Sequence, residues 1–417
     1  MQVFKFGGAS VKDAESVKNV ARIVKRYGDH AMVVVVSAMG KSTNALENML
    51  EAQRNKDSAK FDTLQSGLQS FHEEIIRKLF TDEGECSKLL AVIKSILIEG
   101  FDNASLSCDE QYSKAVAVGE LMSTNIMAAY FSAFGLKTNL MDARKCIRTS
   151  NKKVYADVNW LETEELMKTQ FHTSAVNVLQ GFIASDALGK TTTLGREGSD
   201  FTAAIAAYSL GCDKVTIWKD VPGLLDADPK WFDNTQLIPS ISYKEATELA
   251  YYGASVIHPK TLKPLQNKGI GLEIKSFIEP EKKGTSIQHN DCDDHLIPSF
   301  IYKMNQVLVS ISPRDFSFID EANLAELFQV FNQRNVRVNV MQNTALTFSI
   351  CIDNKGAWKD LLKDFSEKYQ VRYNENLELV TVRHYNQKTI ERVTVNKNIL
   401  LEQRTRNTMQ LVLEDKG

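Results

Sequence analysis

The chain has 417 residues, 24% of them charged and 43% hydrophobic, and its 50 Lys and Arg against 52 Asp and Glu leave a net charge of −2. At about 100–200 residues per domain this allows two to four domains, and the even charge balance excludes a protein that holds nucleic acid by bulk positive charge. Six cysteines (Cys86, Cys108, Cys146, Cys212, Cys292, Cys351), none at Cys-x-x-Cys spacing, exclude a disulfide scaffold and read as reduced thiols of a cytosolic protein. The first residues lack the basic stretch and apolar run of a signal peptide, and no run of 18 apolar residues predicts a membrane span.

In chain order, Val3-Phe4-Lys5-Phe6 predicts a short strand ending at Gly7-Gly8. Residues 14–27 follow as a helix with Val17, Val20, Ala21 and Val24 on one face. Residues 32–36 are a continuous β-branched run, the pattern of a parallel strand covered on both faces. A long helical region takes most of residues 43–135, and strands are predicted at 137–141, 175–180 and 214–218. Strand and helix in alternation mean an α/β fold with a mainly parallel sheet flanked by helices.

Near residue 280 the composition shifts. Glu279-Pro280-Glu281-Lys282-Lys283-Gly284 reads as a turn and residues 288–296 are polar, which places a domain boundary there. Beyond it Val307, Val309 and Ile311 alternate as on a half-buried strand, and Leu324, Leu327, Phe328 and Phe331 keep helical spacing behind an Asp320 cap. Strands at 336–340 and 346–352, a helix carrying Trp358, Leu361, Leu362 and Phe365, and a strand from Val371 complete a β-α-β-β-α-β, ferredoxin-like order. The last residues add strand-like runs at 377–382, 399–401 and 409–413, with a short helix near 387–394.

Five segments offer chemistry. Lys5-Phe6-Gly7-Gly8-Ala9-Ser10 sets a lysine and two glycines between a strand and a helix, where backbone N–H groups can approach a phosphate, although a Gly-Gly pair is also an ordinary turn. Thr192-Thr193-Leu194-Gly195-Arg196-Glu197-Gly198-Ser199-Asp200 opens a predicted helix (201–210) with an arginine between glycines. Gly189-Lys190-Thr191 upstream imitates the tail of a P-loop, but the first glycine such a loop requires is Ala184, so that reading is rejected. The segment from Lys219-Asp220-Val221-Pro222-Gly223 to Asp228-Pro229-Lys230 follows a strand, where α/β sheets bind ligands, and reads equally as a surface loop with turn chemistry. Gly119-Glu120-Leu121-Met122-Ser123 lies in a helix, where a lone Glu is ordinarily solvated. His258 before Pro259 reads as a structural histidine at a bend, with Lys260 in reach of a phosphate. Together, Lys5, Lys230 and Lys260, two glycine loops and an acid at a helix start suit phosphoryl transfer, which depends on positioning and charge neutralisation.

These motifs resemble those of the aspartokinases, within the amino-acid-kinase superfamily. Lys5 to Val11 is similar to the family's KFGGTSV opening, and Ser37-Ala38-Met39-Gly40-Lys41-Ser42-Thr43-Asn44 to its substrate loop. Gly119 to Ser123 resembles GE-x-x-S, Gly181-Phe182-Ile183 its GF strand end, Thr192 to Asp200 TTLGRGGSD, Asp220 to Lys230 its nucleotide loop, and His258-Pro259-Lys260-Thr261 HP-K-T. The C-terminal unit resembles an amino-acid-binding ACT domain.

The resemblance implies an amino-acid-kinase fold plus a ferredoxin-like ACT region, divided as 1–295, an ACT domain at 304–374 and a truncated second ACT-like unit at 375–417. It also implies ATP-dependent, Mg²⁺-assisted phosphorylation of the side-chain carboxylate of L-aspartate in lysine, threonine and methionine biosynthesis. Lys5 and Asp200 would be catalytic, Lys5 on the transferring phosphoryl group and Asp200 orienting it and helping to organise the metal-phosphate site. Ser37, Thr43, Glu120, Phe182, Arg196 and Ser199 would hold aspartate, with Arg196 on its α-carboxylate and Glu120 on its ammonium. Lys5, Gly7, Gly8, Ser10, Lys219, Asp220, Leu225, Lys230 and Lys260 would hold the nucleotide. A cytoplasmic homodimer through the ACT region, with lysine or threonine as effector, is implied as well. Three positions depart from the pattern: Ala9 for Thr, Glu197 for Gly, and Lys219 for Thr, the last two being opposite charges able to offset one another. The segment 312–318 lacks the glycines that often mark an ACT ligand loop. Two other readings stand beside this one: a relative that phosphorylates another acid or a nucleotide, and a non-catalytic amino-acid sensor, which would have no need of Lys5 and Asp200.

Overall fold

Five consecutive buried residues, Met32–Val36, form β2 between two parallel neighbours, the arrangement that a β-branched run with no polar alternation demands. This is the protein's computed structural model, and it describes residues 1–28, 31–102, 105–254, 257–289, 294, 297–356 and 358–416. The boundary expected at residue 295 lies outside the described residues, as do Cys292, Ser255 and Val256. The chain divides into two compact units: Met1–Leu224, Pro239–Thr247 and Val256–Asp291; and Leu225–Ile238, Glu248–Ser255 and Cys292–Gly417.

The elements up to residue 288 run β1 (Gln2–Phe6), α1 (Ala14–Tyr27), β2, α2 (Ser42–Arg54), α3 (Ser58–Leu79), α4 (Glu83–Gly100), α5 (Cys108–Ala133), β3 (Thr138–Met141), α6 (Ala143–Cys146), α7 (Trp160–Gln170), β4 (Val176–Gln180), β5 (Ile183–Ser185), β6 (Thr191–Thr193), α8 (Gly198–Leu210), β7 (Lys214–Lys219), β8 (Ser240–Ser242), α9 (Tyr243–Tyr252), α10 (Pro259–Lys268), β9 (Gly271–Ser276) and β10 (Thr285–Gln288). Eight strands make one sheet in the order β3-β4-β2-β1-β7-β9-β10-β8, parallel except for the β9–β10 pair. The single helical region predicted at 43–135 is four helices, each broken where a capping residue begins the next: Asp57, Asp82 and Ser107 accept from the backbone of α3, α4 and α5. Helix α8 is buried along almost its whole length by Ala203, Ala204, Ile205, Ala206 and Ala207, the mark of a helix enclosed on all sides. The expected P-loop imitation at 189–191 is the turn of the β5–β6 hairpin.

The second unit carries β11 (Ser299–Pro313), α11 (Glu321–Gln333), β12 (Val338–Asn343), β13 (Phe348–Asp353), α12 (Trp358–Phe365), β14 (Tyr369–Arg383), α13 (Gln387–Thr394), β15 (Lys397–Arg404) and β16 (Thr408–Asp415). The antiparallel sheet has the order β12-β13-β11-β14-β16-β15. The β-α-β-β-α-β order is present, with Asp320 capping α11 as predicted. Strand β14 runs without a break across residue 375, so the chain beyond it joins the same sheet. The register of β11 on β14 slips between Lys303 and Leu308. There Asn305 and Asn376 take positive φ (54° and 60°), which asparagine tolerates better than most side chains.

Helix α3 holds one polar group at a cost. His72 is fully buried, its Nδ1 is 2.8 Å from the Leu68 carbonyl oxygen, and its Nε2 has no partner. Burial pushes its pKa down to about 4. The unfolded chain therefore takes up a proton near its ordinary value of about 6.5, and the folded chain does not until near 4. Stability from this neutral histidine is complete above about pH 6.5 and is lost as pH falls toward 4, by up to about 3 kcal/mol. Thermal melts at pH 7.5, 6, 5 and 4 should show this decline, and His72→Leu should flatten that part of the profile.

Candidate active site

The carboxyl ends of β1, β2, β4 and β7 open on one cleft of about 430 Å³ in the first unit, the position at which parallel sheets present ligand loops. Nine of the predicted residues line it: Lys5, Ser37, Thr43, Glu120, Phe182, Arg196, Ser199, Asp200 and Lys219. A larger hollow of about 550 Å³, between α4, α5 and the β5–β6 hairpin, contains none of them, and its charges are largely paired (Glu110 with Lys190, Asp142 with Arg144).

Lys5 lies in β1, and its Nζ is 2.7 Å from Asp200 Oδ1. Asp200 stands in the first turn of α8, where a carboxylate meets the positive end of the helix. Lys219, at the end of β7, sets its Nζ 3.7 Å from the other oxygen. One buried carboxylate thus holds two ammonium groups at the cleft floor. Their net worth to stability is small, because desolvation offsets the attraction, but both cations are held in place.

The loops that follow β1 and β2 are tied together. Ser37 N donates to the Phe6 carbonyl (3.1 Å), and Gly40 N to that of Gly8 (3.0 Å). A Cβ on Gly8 would come within 2.8 Å of the carbonyl oxygens of both Ala38 and Gly40, so only glycine permits this approach. Ser123 Oγ donates to the Ser37 carbonyl (2.7 Å) from α5.

Glu120 overturns the solvated reading of a lone helical Glu and lies in the cleft with the residues the resemblance grouped with it. It is not solvated but 3% exposed, because α5 is buried on the side that faces β2. Oε1 accepts only a 3.4 Å bond from Ala38 N, and Oε2 has no partner. Burial pushes its pKa up to about 8. An acid so placed in a cleft wall marks a candidate functional site.

The remaining predicted residues lie around this cleft or outside it. Gly7, Gly8 and Ser10 form the turn after β1, and Ser10 Oγ donates to the Trp218 carbonyl (3.4 Å). Asp220 is exposed just after β7. Leu225 and Lys230 belong to the second unit, where Lys230 is exposed. Lys260 donates to the Leu194 carbonyl (3.2 Å) and lies 4.7 Å from the centre of the Phe201 ring, with burial lowering its pKa. His258 caps α10 by accepting from Lys260 N (3.1 Å), the structural role read from its place before proline. Sequence reading missed Tyr112, Val154, Tyr155, Thr193, Gly195 and Gly198 as cleft lining. Tyr112 donates to Glu47 Oε1 (2.9 Å), and burial followed by that bond pushes its pKa up to about 12. No spacing pattern marks Val154 or Tyr155, which sit in an irregular segment.

Glu197 carries its departure from the motif at a cost to stability. It precedes α8 at φ 53°, ψ 29°, the left-handed region that favours glycine, and its Oε2 is buried with no partner. Glu197→Gly should therefore stabilise the fold by roughly 0.5–1 kcal/mol, read as a higher urea midpoint at unchanged slope.

A model of the amino acid kinase family matches residues 1–276. The chain belongs to that family. The members to which it is similar over most of its length are aspartokinases. Aspartokinase 1 of Arabidopsis thaliana, a chloroplast protein, is 30% identical over 369 residues, which are 85% of this chain and 64% of the relative, so the chain spans a little under two thirds of that relative's length. Lysine-sensitive aspartokinase 3 of Escherichia coli is 28% identical over 391 residues, 91% of this chain and 86% of the relative. Two crystal structures of E. coli aspartokinase III, each 26% identical, cover 100% of this chain and 96% of the solved one. One holds aspartate and ADP and superposes with a TM-score of 0.79; the other holds lysine and aspartate, with a TM-score of 0.80. No helix among the described residues is long and apolar enough to cross a membrane.

Proposed function

We propose that the chain is an aspartate kinase that transfers the γ-phosphoryl group of ATP to the side-chain carboxylate of L-aspartate, giving 4-phospho-L-aspartate and ADP. The observation that carries this reading is the Lys5–Asp200–Lys219 cluster in a cleft that also offers exposed Arg196 and buried, half-satisfied Glu120. An amino acid with two carboxylates and one ammonium complements that set: Arg196 takes the α-carboxylate, Glu120 the ammonium, and Ser37, Thr43, Phe182 and Ser199 line the space between. The attacking carboxylate is ionised at neutral pH and needs no general base. Its oxygen bonds to the γ-phosphorus while the bond to the β–γ bridging oxygen breaks, and ADP departs with that electron pair. Lys5 and Lys219 face the charge that spreads over the equatorial oxygens, an effect worth about 2.7–4 kcal/mol per group.

Among the described residues no group of three acids, histidines or cysteines could hold a metal by itself. In this reading Mg²⁺ would arrive on nucleotide phosphates, where Asp200 is the nearby carboxylate, and it would neutralise phosphate charge. Gly7, Gly8, Ser10, Asp220, Leu225, Lys230 and Lys260 complete the nucleotide set in this reading. Residues 1–295 act as the catalytic domain, 304–374 as an ACT domain and 375–417 as a truncated second ACT-like unit, through which two chains pair. Lysine or threonine serves as effector, in keeping with the lysine-bound state of the E. coli relative. The enzyme works in the cytoplasm, and no disulfide links the five described cysteines.

Two experiments test the reading. A coupled ADP assay with aspartate, glutamate and other acids should show turnover with aspartate, and Lys5→Ala should abolish it while keeping the circular dichroism of a folded chain; undiminished turnover in that variant sinks the assignment. Lysine and threonine added in turn reveal the effector. The second experiment uses Glu120, which burial keeps protonated up to about pH 8 and which must lose that proton to pair with an ammonium. The KM for aspartate should fall as pH rises from 6.5 to 8.5, and Glu120→Gln should raise KM and remove that dependence.

A further inference from the structure

Ten non-glycine residues of the described chain have positive φ, and three of them line the same cleft: Tyr155 (54°), Phe182 (69°) and Glu197 (53°). A bulky side chain in this region is an outlier that its surroundings must hold in place, and such residues gather where geometry serves function. Phe182 belongs to the predicted substrate set and Glu197 starts α8. Tyr155 has neither assignment.

The backbone on both sides of Tyr155 is pinned to β6. Thr193 N donates to the Lys153 carbonyl (2.8 Å), and Ala156 N donates to the Thr193 carbonyl (2.9 Å). Ser113 Oγ of α5 donates to the same Lys153 carbonyl (2.7 Å), and the Lys153 ammonium pairs with Asp186, itself 2% exposed. These anchors hold the strained dihedral. They are not there to bury the ring, which stays 63% exposed on the cleft. What the ring does touch is the backbone of Gly195: a Cβ on that glycine would meet three of its atoms at 2.2, 2.6 and 3.0 Å. Gly195 (φ +81°) immediately precedes Arg196. The ring therefore lies against the turn from which Arg196 projects, and Lys260 holds the Leu194 carbonyl just before that turn.

We propose that Tyr155 is a positioning residue of the acid-substrate subsite: its ring clamps the Gly195-Arg196 turn and walls that side of the cleft, so that Arg196 meets the substrate's carboxylate in one fixed geometry. This rests on the kinase reading above. The strained backbone at Tyr155 and the bare backbone at Gly195 are two halves of one contact.

The test separates a clamp from a structural prop. Tyr155→Gly removes the ring and relieves the positive φ, so it should leave the melting midpoint unchanged or raised. It should raise the KM for the acid substrate tenfold or more while the KM for ATP stays within twofold. Tyr155→Phe keeps the ring and should hold every parameter within twofold. An acid KM within twofold of the parent in Tyr155→Gly overturns the proposal, and so does a parallel rise in the KM for ATP. If the parent uses aspartate and Tyr155→Gly matches it, the clamp alone fails. If the parent phosphorylates a different acid of the panel, the aspartate reading fails, and the clamp is then judged by the same ratio with that acid.

Discussion

A lysine and an aspartate held 2.7 Å apart, 11% and 4% exposed, set the terms for the first unit. Burying them is expensive unless both are fixed. The fold fixes Lys5 on β1, near the middle of the parallel sheet, and Asp200 on α8, a helix with almost no solvent-facing side. The sequence features that seemed separate follow from this. The β-branched run of β2 covers β1 on one side, Trp218 of β7 stacks on Phe6 on the other, and the alanine-rich body of α8 allows the helix close to the strands.

The alternation of elements, the parallel sheet and the antiparallel C-terminal order were legible because burial on two faces and burial on one face leave different periodicities. The glycine loops were legible because close backbone approach excludes side chains, as Gly8 shows. Glu120 was legible only through its motif: hydrophobic pattern alone cannot distinguish a polar residue facing water from one facing an internal cleft. Tyr155 was invisible for a different reason. Its place depends on pairing between an irregular segment and β6, a long-range hydrogen-bond pattern with no local signature. His258 was read correctly because its role is local, one cap to one backbone N–H.

The departures from the family motif become chemically sensible in place. Glu197 occupies a backbone position suited to glycine and adds a carboxylate at the cleft, while Lys219 adds a cation that leans on Asp200. The cleft thus carries three basic and three acidic side chains: Lys5, Arg196 and Lys219 against Glu120, Glu197 and Asp200. With Glu120 holding its proton, the cleft is left with a net positive charge, the sign that suits an anionic ligand.

In the second unit, β11 and β14 each run 15 residues, about 50 Å of continuous backbone, through both halves of the antiparallel sheet. Residues 299–303 pair with 379–383, and 308–313 with 369–374. The two halves are therefore written on shared strands, and neither is a cassette that recombination could lift out intact. A cut at residue 375 would divide β14 and part its 379–383 stretch, which carries β16 and β15, from 299–303 of β11. From 299 to 415 the sheet is one hydrogen-bonded whole, and it can be shortened only by rebuilding the strands that its halves hold in common.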